Sequence, residues 1–355
     1  MADRQGLDTL IPELRLRING QAFPVDAKAD LISLTVLEDV NATSMFTFTV
    51  LCWDGMAMRV KWIDDDIFKE GNGVEIDMGY GDRQETLFKG EITGLEPDFP
   101  YGQPPTLTVR GYDRRHRLMR KRKTRTFLNM KDSDIATQVA GDWGLTPDTE
   151  DSRVTLEYVL QHNQTDFEFL LERAQRIGYE MVVTNTTLRF RARQNQGSAA
   201  VTLRREVELI DFNARLTTVG QVEEVAVRGW NPKNKEEIIA QARVGDERRM
   251  GGSASGPVTT RQAFSGTGGV IVKLPVLSRD EADQLANGWF GEMALGYVEA
   301  QGVCIGQPDL RAGKLVQIEG LGRRFSGAYY VISTEHSYKP RVGYRTAFTV
   351  RRNAT

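Results

Sequence analysis

Two distant stretches of this chain repeat the same order of sequence features. Residues 74–112 contain V-E-I, F-K-G-E-I-T and T-L-T-V-R-G, and residues 315–352 contain L-V-Q-I, F-S-G-A-Y-Y-V and A-F-T-V-R-R. A second similarity is between VRGYD at 109–113 and VRGWN at 227–231. The separation is much too long for a solenoid repeat. A duplicated β-barrel interrupted by a different unit is the simpler explanation. The alternative is that these short motifs are common to many unrelated strands.

The repeat makes a geometric prediction. The F-x-G motif at 88–90 and its counterpart at 325–327 should each open a strand. Each should be followed by a hairpin that ends in T-V-R, at 108–110 and at 349–351. The two phenylalanines should then point to equivalent sides, and the two valines should lie on equivalent strands. Each glycine is expected where the backbone bends or where another strand approaches closely.

The first and last thirds of the chain read as short strands. LRLRI at 14–18 alternates strictly and is followed by Asn19-Gly20, a hairpin signal because both residues tolerate positive φ. MFTFTVLCW at 45–53 alternates phenylalanine and valine with threonine. Turn signals at intervals of about ten residues indicate a barrel or a sandwich.

The middle of the chain changes period and predicts a small α/β unit at 128–195. One helix is expected after the acidic cap at 132–134, because apolar residues then recur at i, i+4 and i+8. A second helix is expected at 166–177, where Thr165 and Glu168 complete a capping box.

The segment 114–125 is strongly basic. Such a run can neutralise phosphates, but it lacks the interleaved aromatic residues on which bases stack. A solvated or partner-facing connector is therefore favoured over a nucleic-acid site, and a protein partner with an acidic rim fits equally well. The predicted partner-binding residues are Arg120, Lys121, Arg122 and Lys123.

No catalytic, cofactor-binding or metal-binding residue is predicted. The chain has two distant cysteines, Cys52 and Cys304, and three scattered histidines, so a zinc site with close-spaced ligands is not expected. The acidic run at 64–66 lacks calcium-loop spacing and reads as a surface turn. No nucleophile elbow of the G-x-S-x-G type is present.

Composition argues against two classes of protein. The formal net charge is −2, which gives the whole chain no bias toward nucleic acid or an anionic membrane. No apolar run approaches the ~18 residues of a membrane span. The segment 1–16 shows no secretory signal, so synthesis and assembly in the cytoplasm are expected.

Three stretches resemble the phage late control D family, the baseplate hub proteins of contractile tails. They are FKGEITGLEPDFPYGQPPTLTVRGYDRRHRLMR, HNQTDFEFLLERAQRIGYEMVV and GLGRRFSGAYYVISTEHSYKPRVGYRTAFTVRR. The first two also resemble the head region of the valine-glycine-repeat (VgrG) spike proteins of type VI secretion. The turn G-Q-P-D-L-R-A-G at 306–313 adds to the resemblance.

The resemblance implies a mainly β fold with two tube-like antiparallel β-barrels and a small α/β domain. In this sequence the first barrel would span 1–113, and the basic connector with the α/β domain would span 114–200. The second barrel would span 201–355 and carry an inserted helix at about 279–296.

The resemblance also implies a non-enzymatic, homotrimeric baseplate hub. It would join a hexameric tail tube to a trimeric spike, contact other baseplate components, and act as a symmetry adaptor. No cofactor, membrane or nucleic-acid partner is expected. Two alternatives remain: a nucleic-acid-binding protein acting through 114–125, and a tail-tip peptidoglycan hydrolase.

The resemblance further implies incorporation into a phage tail or a phage-tail-like injection particle that can be released from the cell. The larger VgrG relatives continue into a needle, whereas this sequence stops at Thr355. The needle is therefore expected to be a separate polypeptide, which favours a phage tail or an extracellular particle over a type VI system.

Overall fold

A computed structural model describes residues 11–81, 83–264 and 268–355. The first ten residues of the predicted 1–113 domain, and with them most of the N-terminal segment tested for a signal, lie outside the described residues.

Strands make up most of the regular structure. They are β1 (Pro12–Ile18), β2 (Gln21–Ala22), β3 (Leu31–Asp39), β4 (Met45–Leu51), β5 (Trp53–Asp54), β6 (Arg59–Val60), β7 (Gly73–Tyr80), β8 (Arg83–Asp98), β9 (Thr106–Tyr112), β10 (Arg122–Lys131), β11 (Thr146–Thr149), β12 (Thr155–Thr165), β13 (Tyr179–Thr184), β14 (Thr187–Ala192), β15 (Val201–Arg204), β16 (Leu209–Leu216), β17 (Glu224–Asn231), β18 (Glu236–Arg243), β19 (Gly269–Lys273), β20 (Val298–Ile305), β21 (Leu315–Glu319), β22 (Gly327–Lys339) and β23 (Gly343–Arg352).

The helices are fewer, and only three exceed ten residues. They are α1 (Val25–Ala29), α2 (Arg115–Leu118), α3 (Asp132–Asp142), α4 (Asp166–Arg176), α5 (Gly256–Ala263), α6 (Arg279–Leu295) and α7 (Gly322–Phe325), with a 3-10 turn at Asp66–Phe68. The three long helices lie at the sites predicted from the sequence.

One 13-stranded sheet dominates the molecule, and it contains the same strand order twice. The first repeat runs β1-β7-β8-β9-β4-β3, and the second runs β15-β21-β22-β23-β20-β16. Ranked by position along the chain, the strands of both repeats follow the order 1-4-5-6-3-2. One pairing differs, because β1 and β7 are antiparallel whereas β15 and β21 are parallel. The shared order supports duplication over coincidence of short motifs.

The register of the two repeats agrees as well. We aligned the two T-V-R motifs and followed the strand pairings from them. The F-x-G motif at 88–90 then occupies the same position as the F-x-G motif at 325–327. The same alignment places Cys52 on Cys304, and both cysteines are fully buried. Val109 and Val350, the central residues of the T-V-R motifs, are also fully buried, on equivalent strands.

Two predicted details need correction. Phe88 lies inside β8 and Phe325 is the last residue of α7, so neither phenylalanine opens a strand. The two separate barrels are not confirmed, since no sheet closes on itself within the described residues. The reason is that the outer edge of β3 pairs with β22, which merges both repeats into one sheet.

Four hydrophobic clusters fill the interior. Each repeat has its own core, and Phe88 and Phe325 pack against the core of their own repeat. A third and larger cluster joins the α/β unit to α6, with Leu170 and Phe290 in the same group, and it also includes residues of β17 and β18. The small fourth cluster links Val40 of the first repeat to Tyr330 of the second.

Helix α4 is fixed at its start by the predicted capping box. The Thr165 hydroxyl oxygen accepts from the Glu168 amide at 3.2 Å, and the Glu168 carboxylate accepts from the Thr165 amide at 2.9 Å. Phe169 and Leu170 are buried on its inner face. Its C-terminal turn is followed by Gly178 at φ +70°, a conformation that glycine adopts without strain.

Candidate assembly interface

The basic segment 114–125 does not form one surface. Its first half contains α2, and its second half begins β10, so the two halves face different parts of the molecule. Arg120 and Lys121 lie between these elements and are exposed.

Much of the charge in β10 is used inside the protein. Lys123 Nζ lies 2.6 Å from one carboxylate oxygen of Asp166, and Arg125 Nη2 lies 2.9 Å from the other. Asp166 is completely buried and also accepts from Trp143 Nε1 at 2.7 Å. Burial alone would raise the pKa of the Asp166 carboxyl, but hydrogen bonds from Lys123, Trp143 and Gln161 lower it. Lys123 is therefore a structural residue of the α/β unit.

The α2 half of the segment is anchored in the same way to the first repeat. Arg117 Nε and His116 Nε2 each lie 3.0 Å from Glu91 of β8. Burial alone would raise the pKa of the Glu91 carboxyl, yet the hydrogen bonds from Arg117 and His116 lower it. Arg115 is 1% exposed and pairs with Asp113 at 2.8 Å. These contacts fix the first half of the basic segment to the first repeat.

Three of the four predicted partner-binding residues remain on the surface. Arg122 forms an exposed ion pair with Glu168 at 2.9 Å, and Arg120 makes a long contact of 3.4 Å with His116. Lys121 has no hydrogen bond or ion pair to any residue that the structure describes. Sequence reasoning missed the pairing of Lys123 with Asp166 because the two residues lie 43 positions apart. Partner binding by the four residues stays a prediction.

The two repeats meet along β3 and β22. Six residue pairs connect these antiparallel strands, from Ser333 opposite Asp39 to Tyr338 opposite Leu34. Val36 and His336, which face each other in this ladder, are fully buried. We call this pairing the internal seam.

A partly buried ion pair reinforces the internal seam. Arg311, in the turn at 306–313, donates from Nε to the Glu38 carboxylate at 2.7 Å, and its Nη2 donates to the other oxygen. The same guanidinium donates to the carbonyl oxygens of Thr86 at 2.9 Å and Leu87 at 2.7 Å. Burial alone would raise the pKa of the Glu38 carboxyl, but the charge of Arg311 lowers it. One side chain of the second repeat thus holds two strands of the first.

A second polar contact joins the α/β unit to β22 of the second repeat. Glu180 of β13 accepts from the Tyr330 hydroxyl of β22 and from Arg191 Nε at 2.8 Å. Burial, with the adjacent Glu180 carboxylate, raises the pKa of Tyr330 well above its usual value. The tyrosine therefore remains a neutral hydrogen-bond donor at physiological pH.

Several strand edges of the large sheet have no partner strand among the described residues, and two of them lie in β8 and β16. The second half of β8, beyond Ile92, has a partner only on its β9 side, and β16 ends the sheet. Large apolar side chains are exposed beside both edges. Phe99 is 63% exposed, Tyr101 is fully exposed, and Val219 is 82% exposed. Apolar side chains next to an open strand edge are typical of protein contact sites.

Two further features concern only the residues that the structure describes. No helix there is long and apolar enough to cross a bilayer. No group of three or more histidine, cysteine, aspartate or glutamate side chains is arranged to hold a metal ion in that part of the chain.

The fold is that of phage tail proteins. The chain matches a tail protein of prophage MuSo2 from Shewanella oneidensis with a TM-score of 0.72 and 14% identity, covering 96% of this chain and 98% of that one. It matches a tail protein from Neisseria meningitidis with a TM-score of 0.68 and 11% identity, covering 96% of each chain.

A third match extends the likeness to secretion systems. It is an E. coli protein described as a component of the type VI secretion system with structural similarity to bacteriophage tail proteins. The TM-score is 0.60 and the identity 13%, over 95% of this chain and 76% of that one.

A family model assigns the chain from its sequence. Residues 9–339 match the model described as the Alg8 N-terminal domain, and the chain belongs to that family. The description does not name the late control D family, so that finer resemblance stays a prediction. No curated protein matches the sequence.

Proposed function

We propose that this protein is a structural baseplate hub that joins a hexameric tail tube to a trimeric spike. The observation that carries the proposal is the repeated strand order within one continuous sheet. The likeness of the fold to phage tail proteins supports it.

The proposed mechanism is symmetry adaptation. A trimer of chains that each carry two equivalent repeats would offer six similar surfaces to a sixfold tube. The two repeats of one chain would be related by a rotation of about sixty degrees around the threefold axis, since closed rings divide the full turn equally. The domain assignment 1–113, 114–200 and 201–355 belongs to this proposal, with β17–β19, α5 and α6 inserted in the last part.

The other partners follow from the same proposal. A separate spike protein would bind opposite the tube, and further baseplate components would contact the α/β unit. The two-stranded sheet of β10 and β12 exposes Leu128, Tyr158 and Leu160 there, at 60%, 54% and 43%. The protein would be assembled in the cytoplasm and incorporated into a tail or a tail-like particle.

The mass of the complex tests the hub. We expect three chains per complex by light scattering, either alone or after mixing with the spike protein of the same particle. A stable dimer or tetramer in the assembled particle would exclude the hub. A monomer at low concentration is compatible with it, because the spike can nucleate the ring.

The two alternatives have less support. Four basic residues of the segment 114–125 already pair with carboxylates of the protein itself, which leaves fewer cations for binding phosphates. They are Arg115, Arg117, Lys123 and Arg125. No observation on the described residues favours a peptidoglycan hydrolase. Absence of cell-wall clearing by the purified protein would separate the hub from the hydrolase.

A further inference from the structure

We propose that the open end of β8 in one copy of this chain packs against the open edge of β16 in the next copy, as an intermolecular counterpart of the internal seam. This inference rests on the proposed function, because it specifies how the trimer closes. The partner is a second copy of this chain.

The repeated strand order identifies the two edges. The internal seam joins the second strand of the first repeat, β3, to the fifth strand of the second repeat, β22. The same two ranks in the opposite repeats are β16 and β8, and both have an unpaired edge in the described chain. One contact between a second-rank strand and a fifth-rank strand is therefore formed within the chain. The two strands that would form the equivalent contact, β16 and β8, remain available for another copy.

The register can be transferred from the seam. Alignment through the pairings with β9 and β23 places Glu96 on Ser333. When β4 is aligned with β20, their partner strands β3 and β16 become equivalent. Counting onward past the last residue of β16, Val219 then corresponds to Asp39. Since Ser333 lies opposite Asp39, Glu96 of one copy is expected opposite Val219 of the next. Asp98 then falls opposite Thr217.

Exposure differs between the two joints as the proposal requires. His336 of β22 is fully buried against β3, whereas Phe99, its counterpart by residue count, is 63% exposed. Val219, in the turn that follows β16, is 82% exposed. An apolar residue at the end of each open strand is thus available for a partner that the single chain lacks.

Charge and backbone chemistry define the character of the contact. Arg215 of β16 is exposed and lies two residues from Thr217, which places it diagonal to Asp98 of the next copy. Pro97 has no N–H, so the ladder has one donor fewer at this position. Side-chain packing therefore contributes more here than in the internal seam.

The contact is head-to-tail, because each chain offers one β8 end and one β16 edge. A head-to-tail contact closes into a ring when the rotation divides the circle. Three internal seams would then alternate with three intermolecular joints around the ring.

Cysteine cross-linking of the full-length protein tests the register. Both native cysteines are buried, so introduced cysteines report selectively. The variant Glu96→Cys/Val219→Cys should form covalent dimers and trimers on oxidation, as detected on non-reducing gels. The matched control is Ser333→Cys/Asp39→Cys, which should close within one chain. Neighbouring strands at such a pair lie within disulfide distance.

The outcomes separate the joint from the hub. If the control closes but the Glu96→Cys/Val219→Cys variant gives no intermolecular link at any protein concentration, the proposed joint is wrong. If that result accompanies a complex of three chains, the hub stands without it. A particle that holds two or four chains overturns both.

A second variant tests the apolar contact. Phe99→Asp/Tyr101→Asp should abolish the trimer while the thermal midpoint of the dilute monomer stays unchanged. Met56→Asp, at a side chain that is 99% exposed on the β5–β6 hairpin, should leave the trimer intact. An intact trimer in the double variant would overturn the proposed contact, and the cross-link variant reports even if the aspartate variant fails to fold.

Discussion

The guanidinium of Arg311 binds both carboxylate oxygens of Glu38, and this pair connects a turn of the second repeat to a strand of the first. The side chains are only 22% and 13% exposed. Two further donations, to the carbonyl oxygens of Thr86 and Leu87, bring in β8. This arginine therefore adds side-chain hydrogen bonds to the β3–β22 ladder that joins the two repeats.

Replacing Arg311 with methionine should lower the free energy of unfolding by roughly 3 kcal/mol, because a carboxylate would be left buried without its partner. Denaturant unfolding measures the change. Arg189→Met serves as a control, since Arg189 and Asp148 form an exposed pair at 3.0 Å whose loss should cost less than about 1 kcal/mol. Equal losses in both variants would show that the Arg311 pair does not hold the repeats together.

Lowering the pH should reduce the free energy of unfolding through protonation of His336. Burial lowers the pKa of this imidazole from 6.5 to about 4. The unfolded chain therefore takes up a proton at higher pH than the folded chain, and stability falls as the pH drops from about 6.5 toward 4. The loss amounts to roughly 3 kcal/mol at about 1.4 kcal/mol per pH unit.

His336→Gln should flatten this pH dependence between pH 7 and pH 5, measured as the slope of the unfolding free energy. His162→Gln, at an exposed histidine, should keep the wild-type slope. The same slope in all three proteins would contradict the assignment to His336.

The cap of α4 should contribute measurably to stability. Thr165→Ala removes the hydroxyl that accepts from the Glu168 amide and should cost about 1 kcal/mol. Thr186→Ala, in an exposed turn, provides the control. A Thr165→Ala protein as stable as the control variant would mean that the capping hydrogen bond contributes nothing.

The inner face of α4 should behave as core. Leu170 is fully buried, so Leu170→Ala should destabilise by roughly 2–5 kcal/mol in chemical denaturation. Leu128→Ala, at a leucine that is 60% exposed, should change stability by much less. If Leu170→Ala keeps full stability but loses a separate activity, α4 carries a functional site and is not scaffold.

The basic segment should split into two functional halves. Lys123→Ser should lower stability by about 1–3 kcal/mol, because the buried carboxylate of Asp166 loses an ion-pair partner. Arg120→Ser/Lys121→Ser should leave stability unchanged, and neither protein should bind duplex DNA at ~150 mM salt. Wild-type retention on DNA that disappears in the double variant would restore the nucleic-acid alternative.

Local features were predictable from the sequence, and contacts between distant segments were not. The capping box of Thr165 and Glu168 spans three residues, so the sequence contains all of it. The alternating strands and the F-x-G and T-V-R motifs located the repeat correctly. Phe88 was misplaced at a strand opening because strand pairing extends β8 back to Arg83, beyond what the motif indicates.

The internal seam and the role of Lys123 escaped prediction for a common physical reason. Glu38 and Thr334 are 296 residues apart, and nothing in either strand specifies the other. Lys123 resembles its basic neighbours until the fold brings buried Asp166 within 2.6 Å. Both depend on which surfaces the chain brings together, information that spacing and composition do not hold.

The distance along the chain between β3 and β22 also has a consequence during synthesis. While the ribosome adds the intervening residues, β3 has emerged with β4 available on one side but without β22 on the other. An unpaired strand edge at this stage can associate with another nascent chain. Late pairing of β22 with β3 would then be the step that commits the polypeptide to its native topology, and slow translation through β17–β20 would lengthen the exposed interval.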